Sequence, residues 1–301
     1  MINCALIGSG YWGSKLQKYI QENRNFHLEC VCGSGSDLNR IWNDSQVKAV
    51  VIASPNETHY PLVKSALLSG KHVLAEKPLA LEVAQCRELR SIARKNKLSL
   101  TVEYTYTFSK SLQLAQSLVA DGEIGRILGI EMAVRHLGRF KGGSVYWLLG
   151  SHMLSVLDMF IPLPELLFNR KDLVTYDGEV ETGVISFYKP GMSGQIVVSL
   201  NYPGKETRII IYGELGTIVY DPMSQPPLKI EKYERLKWTV ASKLPREDRE
   251  FRFDENNNLR YAVEYFADAV EGKTESNIDR AVEITRILEY LQAMRVNSNG
   301  R

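Results

Sequence analysis

Short apolar runs alternate with stretches of helical spacing through the first third of the chain. Ile2, Cys4, Ala5, Leu6 and Ile7 form a run bounded by glycine, as a buried strand should be, and residues 14–20 carry apolar positions at helical spacing. The same alternation continues with predicted strands over 26–32, 49–53, 71–75 and 98–103. Helices are predicted over 60–69, closed by Gly70, over 81–96, and over 112–121, closed by Gly122. Strands alternating with helices predict a parallel sheet covered on both faces.

From Ile127 the pattern changes. Residues 127–134, 182–188, 194–200, 206–212 and 216–220 read as short strands separated mostly by Gly, Pro or Asn turns, with little helix between them. That predicts an antiparallel sheet, open on one face for a substrate or another subunit. The polar stretch 221–250 reads as an excursion with edge strands. A helix is expected over 256–270, and a long final helix from Ile278, whose Ala281, Ile284, Ile287, Leu288, Leu291 and Met294 suit packing against a sheet. The expected architecture is an α/β Rossmann-type domain over residues 1–120. An α+β domain with a large, mostly antiparallel open-faced sheet follows over 121–301, its last helix packing back near the junction.

At 301 residues the chain exceeds what one core usually holds, which agrees with two domains. A net charge of only +2, with no long basic run, argues against nucleic acid as a partner. Cys4, Cys30, Cys32 and Cys86 show no C-x-x-C spacing and no His or Cys cluster suggests a metal, so structural thiols in a reducing compartment are expected. No basic leader precedes the first strand and no apolar run approaches 18 residues, so a cytoplasmic protein with no membrane partner is expected.

The candidate chemistry begins between the first strand and helix, where the chain reads G-S-G-Y-W-G. Gly8 suits a tight turn, Gly10 a close approach to a pyrophosphate, and Gly13 close packing of helix on strand. The anion would sit at the helix N-terminus. Tyr11 and Trp12 either shield the phosphate or pack under the loop. An acidic ribose ligand is expected about 20 residues beyond such a fingerprint, but that count lands on Gly33. Ser34 or Ser36 as hydroxyl donor and Arg40 as a nearby cation suit the 2'-phosphate of NADP. The rival is NAD, with Asp37 turning back to the ribose.

The fourth strand delivers Glu76-Lys77-Pro78 to the strand ends, where ligands of open parallel sheets bind. Pro78 restricts Lys77 to an extended backbone, and Glu76 can hold or tune the ammonium. Lys77 would bind a substrate oxygen or pass a proton; the plainer reading is a solvated loop lysine. Ser54, Pro55, Asn56 and His59 occupy another strand-end loop and are candidates, with Glu76 and Lys77, to line the cofactor. His72 starts a strand and reads as structural. Tyr104 and Tyr106 share a face if their strand continues, so that one reaches the nicotinamide or both form a packing ladder. His152, in a loop feeding a helix, is the candidate acid-base, or else a satisfied structural histidine.

The chain resembles the glucose-fructose oxidoreductase, inositol dehydrogenase and rhizopine catabolism protein family, Gfo/Idh/MocA. The resemblance rests on GSGYWG at 8–13, ASPNETHYPLVKSALLSGKHVLAEKPLAL at 53–81, DGEIGRI at 121–127 and GGSVYWLLGSH at 142–152. It implies an NAD(P)-dependent oxidoreductase in which Lys77 and His152 face the reacting carbinol or carbonyl. Two departures stand out: Leu148 occupies the place of an Asp common four residues before the histidine, and Ser155 that of an Asp three residues after it. Hydride transfer at a secondary alcohol or ketone of a sugar derivative is the leading expectation. Reduction of an imine or a less hydroxylated ketone follows it, then a non-catalytic dinucleotide-binding regulator. The open sheet predicts a homodimer or homotetramer.

Overall fold

The computed structural model describes residues 1–138, 144–234, 242–243 and 247–298. Its first sheet is built from β1 (Ile2–Ile7), β2 (Phe26–Cys32), β3 (Ala49–Ile52), β4 (His72–Glu76) and β5 (Leu100–Glu103), in the order β2-β1-β3-β4-β5 with every pairing parallel. The strands between them are joined by α1 (Tyr11–Glu22), α2 (Asn39–Trp42), α3 (Asn56–Leu68) and α4 (Val83–Lys95). Because all five strands run the same way, the residues after Ile7, Cys32, Ile52, Glu76 and Glu103 emerge along one edge. The order reverses direction between β1 and β3, the kind of switch point at which such sheets bind ligands.

Three local expectations are corrected. The first helix starts at Tyr11, so Tyr11 and Trp12 lie in its first turn and not in a loop. The third helix begins at Asn56 and carries Pro61 within it. The fifth strand stops at Glu103 and residues Thr105–Phe108 coil as a 3-10 turn. Tyr104 and Tyr106 therefore share no strand face, and Tyr104 is buried in the core.

After α5 (Lys110–Ala120), a second sheet comprises β6 (Ile127–Leu137), then, beyond α6 (Ser151–Phe160), β7 (Leu167–Tyr176), β8 (Glu179–Lys189), β9 (Met192–Ser199), β10 (Asn201–Gly213), β11 (Gly216–Tyr220), β12 (Leu228–Glu234), β13 (Ser242–Lys243) and β14 (Arg249–Phe251). The order is β13-β12-β11-β10-β6-β9-β8-β7, with β14 paired to β12. Only β6 and β9 run parallel among the described pairings. Helix α5 packs on β11 and β12, and α6 on β6. Strand β7 was not expected. Its Asn169, Arg170, Lys171 and Asp172 interrupt any apolar alternation, and most of its residues are exposed.

Two last helices, α7 (Asn258–Val270) and α8 (Ile278–Ser298), complete the chain. The compact units are residues 1–105 with 257–289, and 106–256 with 290–301. The division thus falls at 105/106 and not at 120/121, because α5 packs on the second sheet, and the chain returns to the first unit near its end. Leu259, Val263, Phe266 and Ala267 of α7 enter the same core as Leu16, Ile20 and Phe26. Phe26 and Phe266 stack with centroids 5.6 Å apart and 15° between planes. Asn277 covers the edge of β5, accepting from the Val102 N–H and donating to its carbonyl, each at 2.8 Å. Among the described residues no helix is long and apolar enough to cross a membrane.

Candidate active site

The three glycines of the fingerprint differ in what surrounds them. Gly8 has φ +106°, and a Cβ there would lie 2.3 Å from the Ala53 carbonyl oxygen. A Cβ on Gly13 would lie 2.0 Å from the carbonyl oxygen of Gly8. Both positions are closed by backbone, so these glycines hold β1, β3 and α1 together. Gly10 has nothing within 4 Å of where its Cβ would stand. It caps α1, whose first turn carries no acidic residue. An open cradle at a helix N-terminus, where the first N–H groups lack intrahelical acceptors, suits an anion such as a pyrophosphate.

Tyr11 and Trp12 meet edge to face with centroids 5.2 Å apart, and both are exposed. Lys15 Nζ lies over both rings, 4.4 and 4.9 Å from their centroids. This cation was not foreseen; its spacing three and four residues beyond the aromatics was the available signal.

At the end of β2, the Ser36 N–H donates to the Gly33 carbonyl, closing a turn that carries Ser34 and Ser36. Asp37 Oδ1 accepts from the Asn39 N–H at 3.0 Å, so one carboxylate oxygen is engaged by its own loop. Arg40 Nη2 donates to Cys32 Sγ at 3.3 Å, which ties an exposed guanidinium to the carboxyl end of β2. Cys30 and Cys32 sulfurs stand 4.0 Å apart.

The loops after β3 and β4 are fastened by His59. Its Nδ1 is 2.7 Å from the Pro78 carbonyl oxygen and its Nε2 2.9 Å from that of Ser54, and the side chain is fully buried. Burial holds its pKa down against these carbonyl contacts. Both ring nitrogens are occupied by the scaffold, so His59 braces the loops and does not itself line a cofactor surface. Ser54 Oγ and Thr58 Oγ1 are 2.6 Å apart, and Thr58 also donates to the Pro55 carbonyl. His72 Nδ1 accepts from the Ser99 N–H, the structural role its strand position implied.

Lys77 follows β4 directly, before a cis peptide to Pro78. Burial pushes its pKa down, opposed by the carboxylates of Glu76 and Glu103. Glu76, the last residue of β4, lies opposite Glu103, the last of β5, in the strand register. Sequence spacing gave no sign of Glu103, 27 residues from Glu76 and at an ordinary strand end.

In the second unit, residues Tyr146–Gly150 form a π-helical turn that runs into α6. Gly150 sits 3.2 Å, measured at its would-be Cβ, from Ile185 of β8, so the turn lies close on the sheet. His152 packs edge to face against Tyr106, with centroids 5.5 Å apart and an 82° interplanar angle. Tyr106 Oη lies 3.2 Å from Thr207 Oγ1, and burial raises its pKa. Ser155 donates to the His152 carbonyl at 2.6 Å. The loop residues Gly142 and Gly143 lie outside the described residues.

Residues 2–104 match the family model described as "Oxidoreductase family, NAD-binding Rossmann fold", and residues 112–219 the "GFO/IDH/MocA C-terminal domain". A curated relative, "Uncharacterized oxidoreductase sll0816" from Synechocystis, is 31% identical over 62% of this chain and 58% of its own. The first curated relatives are matched over about two fifths of their length. Among solved structures, KijD10, a 3-ketoreductase from Actinomadura kijaniata in complex with TDP-benzene and NADP, aligns with a TM-score of 0.78 at 17% identity, covering 94% of each chain. GenD2 from gentamicin A biosynthesis, in complex with NAD, aligns with a TM-score of 0.82 at 22% identity, covering 100% of this chain and 95% of its own. These two likenesses establish a shared fold. With both of its domain models matched in sequence order, this NAD(P)-binding protein belongs to the Gfo/Idh/MocA oxidoreductase family.

Proposed function

We propose that the protein transfers hydride at a secondary alcohol or its ketone on a sugar or sugar derivative, with NADP as the preferred cofactor. The observation that carries this reading is the delivery of Lys77 to the same sheet edge as the open cradle at Gly10. A bound nicotinamide dinucleotide supplies or accepts the hydride. The chain's own part is to bind and to move a proton. Gly10 and the first turn of α1 hold the pyrophosphate, Tyr11 and Trp12 flank it, and Ser34, Ser36 and Arg40 meet the 2'-phosphate. Ser54, Pro55 and Asn56, at the start of α3, line the cofactor next, with Glu76 and Lys77 beyond them.

Lys77 binds the substrate oxygen and stabilises its negative charge. Its lowered pKa makes the ammonium a readier proton donor. His152 relays the proton, a role supported by the family resemblance. KijD10 and GenD2, crystallised with NADP and NAD respectively, are consistent with either dinucleotide on this fold. The second reading, reduction of an imine or a sparsely hydroxylated ketone, is supported by Leu148, which cannot bind a sugar hydroxyl as an aspartate would.

The test is a panel of free polyols, nucleotide-linked keto sugars, ketones and imines assayed under NADPH and NADH consumption. Turnover confined to imines would replace the first reading by the second. Tight dinucleotide binding with no turnover anywhere would favour a regulator. For an active substrate, Lys77→Ala is expected to lower turnover more than about tenfold; undiminished turnover would remove Lys77 from the chemistry.

A further inference from the structure

The buried carboxyl of Glu103 has no function in the reading above, and that of Glu76 none beyond its place beside Lys77. The two residues end adjacent parallel strands in register. Register partners in a parallel pair project to the same face from strands about 4.8 Å apart. Glu76 is 7% exposed and Glu103 1%. Glu103 Oε2 accepts from the Thr105 hydroxyl at 2.8 Å, and the Glu76 carboxylate accepts from the Lys77 backbone N–H. In each residue the remaining oxygen, Oε1, is buried and has no hydrogen-bond partner among the described residues. An ionised carboxylate in that condition is costly, and two neighbouring ones disfavour each other's charge. A single proton between the two residues removes the repulsion and leaves one negative charge to balance the Lys77 ammonium.

We propose that Glu103 is a positioning residue for Lys77: together with Glu76 it stores one proton and returns it to the Lys77 amine after Lys77 has protonated the substrate oxygen. In the reductive direction the ammonium gives its proton to the substrate oxygen and becomes an amine. The carboxylic acid then gives its proton to that amine, restoring the ammonium and leaving both carboxyls ionised. Solvent supplies the replacement proton before the next turnover. The proposal rests on the Lys77 reading above.

The charged and titratable neighbours agree with this arrangement. Burial pushes Glu103 up to about 7, opposed by the Thr105 hydroxyl and by Lys77. Burial, reinforced by Glu103, raises Glu76 well above the carboxylate range, opposed by Lys77. His59, which faces Lys77 from α3, has its pKa held down by burial and, to a lesser degree, by that ammonium. The raised values of both groups keep a proton on the pair at low and neutral pH and release it as pH rises.

Two measurements on the full chain test the proposal. In protein labelled with 13C at the glutamate carboxyl, one glutamate should titrate at least about two units above the ordinary value near 4.3, and in Glu103→Gln the titration that remains should move down, because burial alone then raises Glu76. If every glutamate titrates in the ordinary range, the pair holds no proton and the proposal fails, whether or not the variant folds. For a ketone that the enzyme reduces, wild-type kcat should fall as pH rises and the pair gives up its proton. Glu103→Gln should lower kcat roughly fivefold at pH about 6 and flatten that fall, with KM and dinucleotide affinity held within about twofold. Glu103→Asp, which keeps a carboxyl, should recover part of both. An unchanged kcat profile in Glu103→Gln, in an enzyme that Lys77→Ala disables, overturns the proposal and leaves the Lys77 reading standing. If Lys77→Ala is itself harmless, that earlier reading is lost, and the kinetic half of this one with it.

Discussion

Arg40 and Glu103 show how unevenly single residues declare themselves. Arg40 could be suspected from the missing acid at Gly33, but nothing in the sequence said where its side chain would go. Its bond to Cys32 Sγ answers that, because Cys32 is the last residue of β2. A guanidinium held there is available to a 2'-phosphate, whereas Asp37 already accepts from the backbone N–H of Asn39. NADPH is therefore expected to bind more tightly than NADH, by more than tenfold if the charge-assisted contact contributes roughly 1.5 to 3 kcal/mol. Fluorescence titration with each reduced cofactor, repeated in Arg40→Ala, measures this. Equal affinities in the wild type would transfer the ribose contact to Asp37, and a preference that survives in Arg40→Ala would move the cation elsewhere. Glu103 carried no comparable signal. Its meaning comes from a register partner on another strand, and register is a property of the sheet and not of a local run.

At the scale of elements, the fingerprint was legible because each glycine answers a local steric demand. Its glycines nevertheless separate into two kinds, and substitution should distinguish them. In Gly13→Ala the new methyl group meets the Gly8 carbonyl at 2.0 Å, and backbone has to shift. A loss of stability of about 2 kcal/mol or more is expected, with cofactor binding lost as a consequence. Gly10→Ala meets nothing within 4 Å, so the fold should tolerate it apart from a helix cap weakened by less than about 1 kcal/mol. The same methyl group would enter the space assigned to the pyrophosphate, and dinucleotide affinity should fall by at least about tenfold. Thermal denaturation and cofactor titration of both variants decide the matter. A Gly10→Ala protein that binds NAD(P)H normally would sink the assignment of that cradle. The strands of the second sheet were legible where apolar and polar positions alternate, as at the buried Ile130, Met132 and Val134 of β6 beside Glu131 and Arg135. Strand β7 was not, because a largely exposed edge strand has no buried face to impose a pattern.

For the whole molecule, sequence order suggested a cut near residue 120 with everything later assigned to one domain. Helix α7 instead joins the first core through Leu259, Val263 and Phe266. An amphipathic helix shows which of its faces is apolar but not which sheet that face will meet, and so its partner was not legible. The same limit applies to partners outside the chain, where exposed apolar area becomes the guide. Leu167, Leu173, Val174 and Tyr176 of β7, with Tyr188 of β8, are all at least 40% exposed. They lie at the β7 end of the second sheet, and Leu167 and Tyr188 are direct register partners. An edge strand bearing such a patch is a site for association or aggregation unless another surface covers it. A second copy of the same surface, related by a twofold axis, covers it without leaving an open end. Sedimentation at micromolar concentration is therefore expected to give a dimer or tetramer. Leu173→Glu together with Tyr176→Glu should shift that species toward monomer, while the melting of the monomer itself changes little, since neither side chain is buried within the chain. A wild-type protein that sediments as a monomer would exclude this assembly, and a mutant that stays oligomeric would move the interface away from β7.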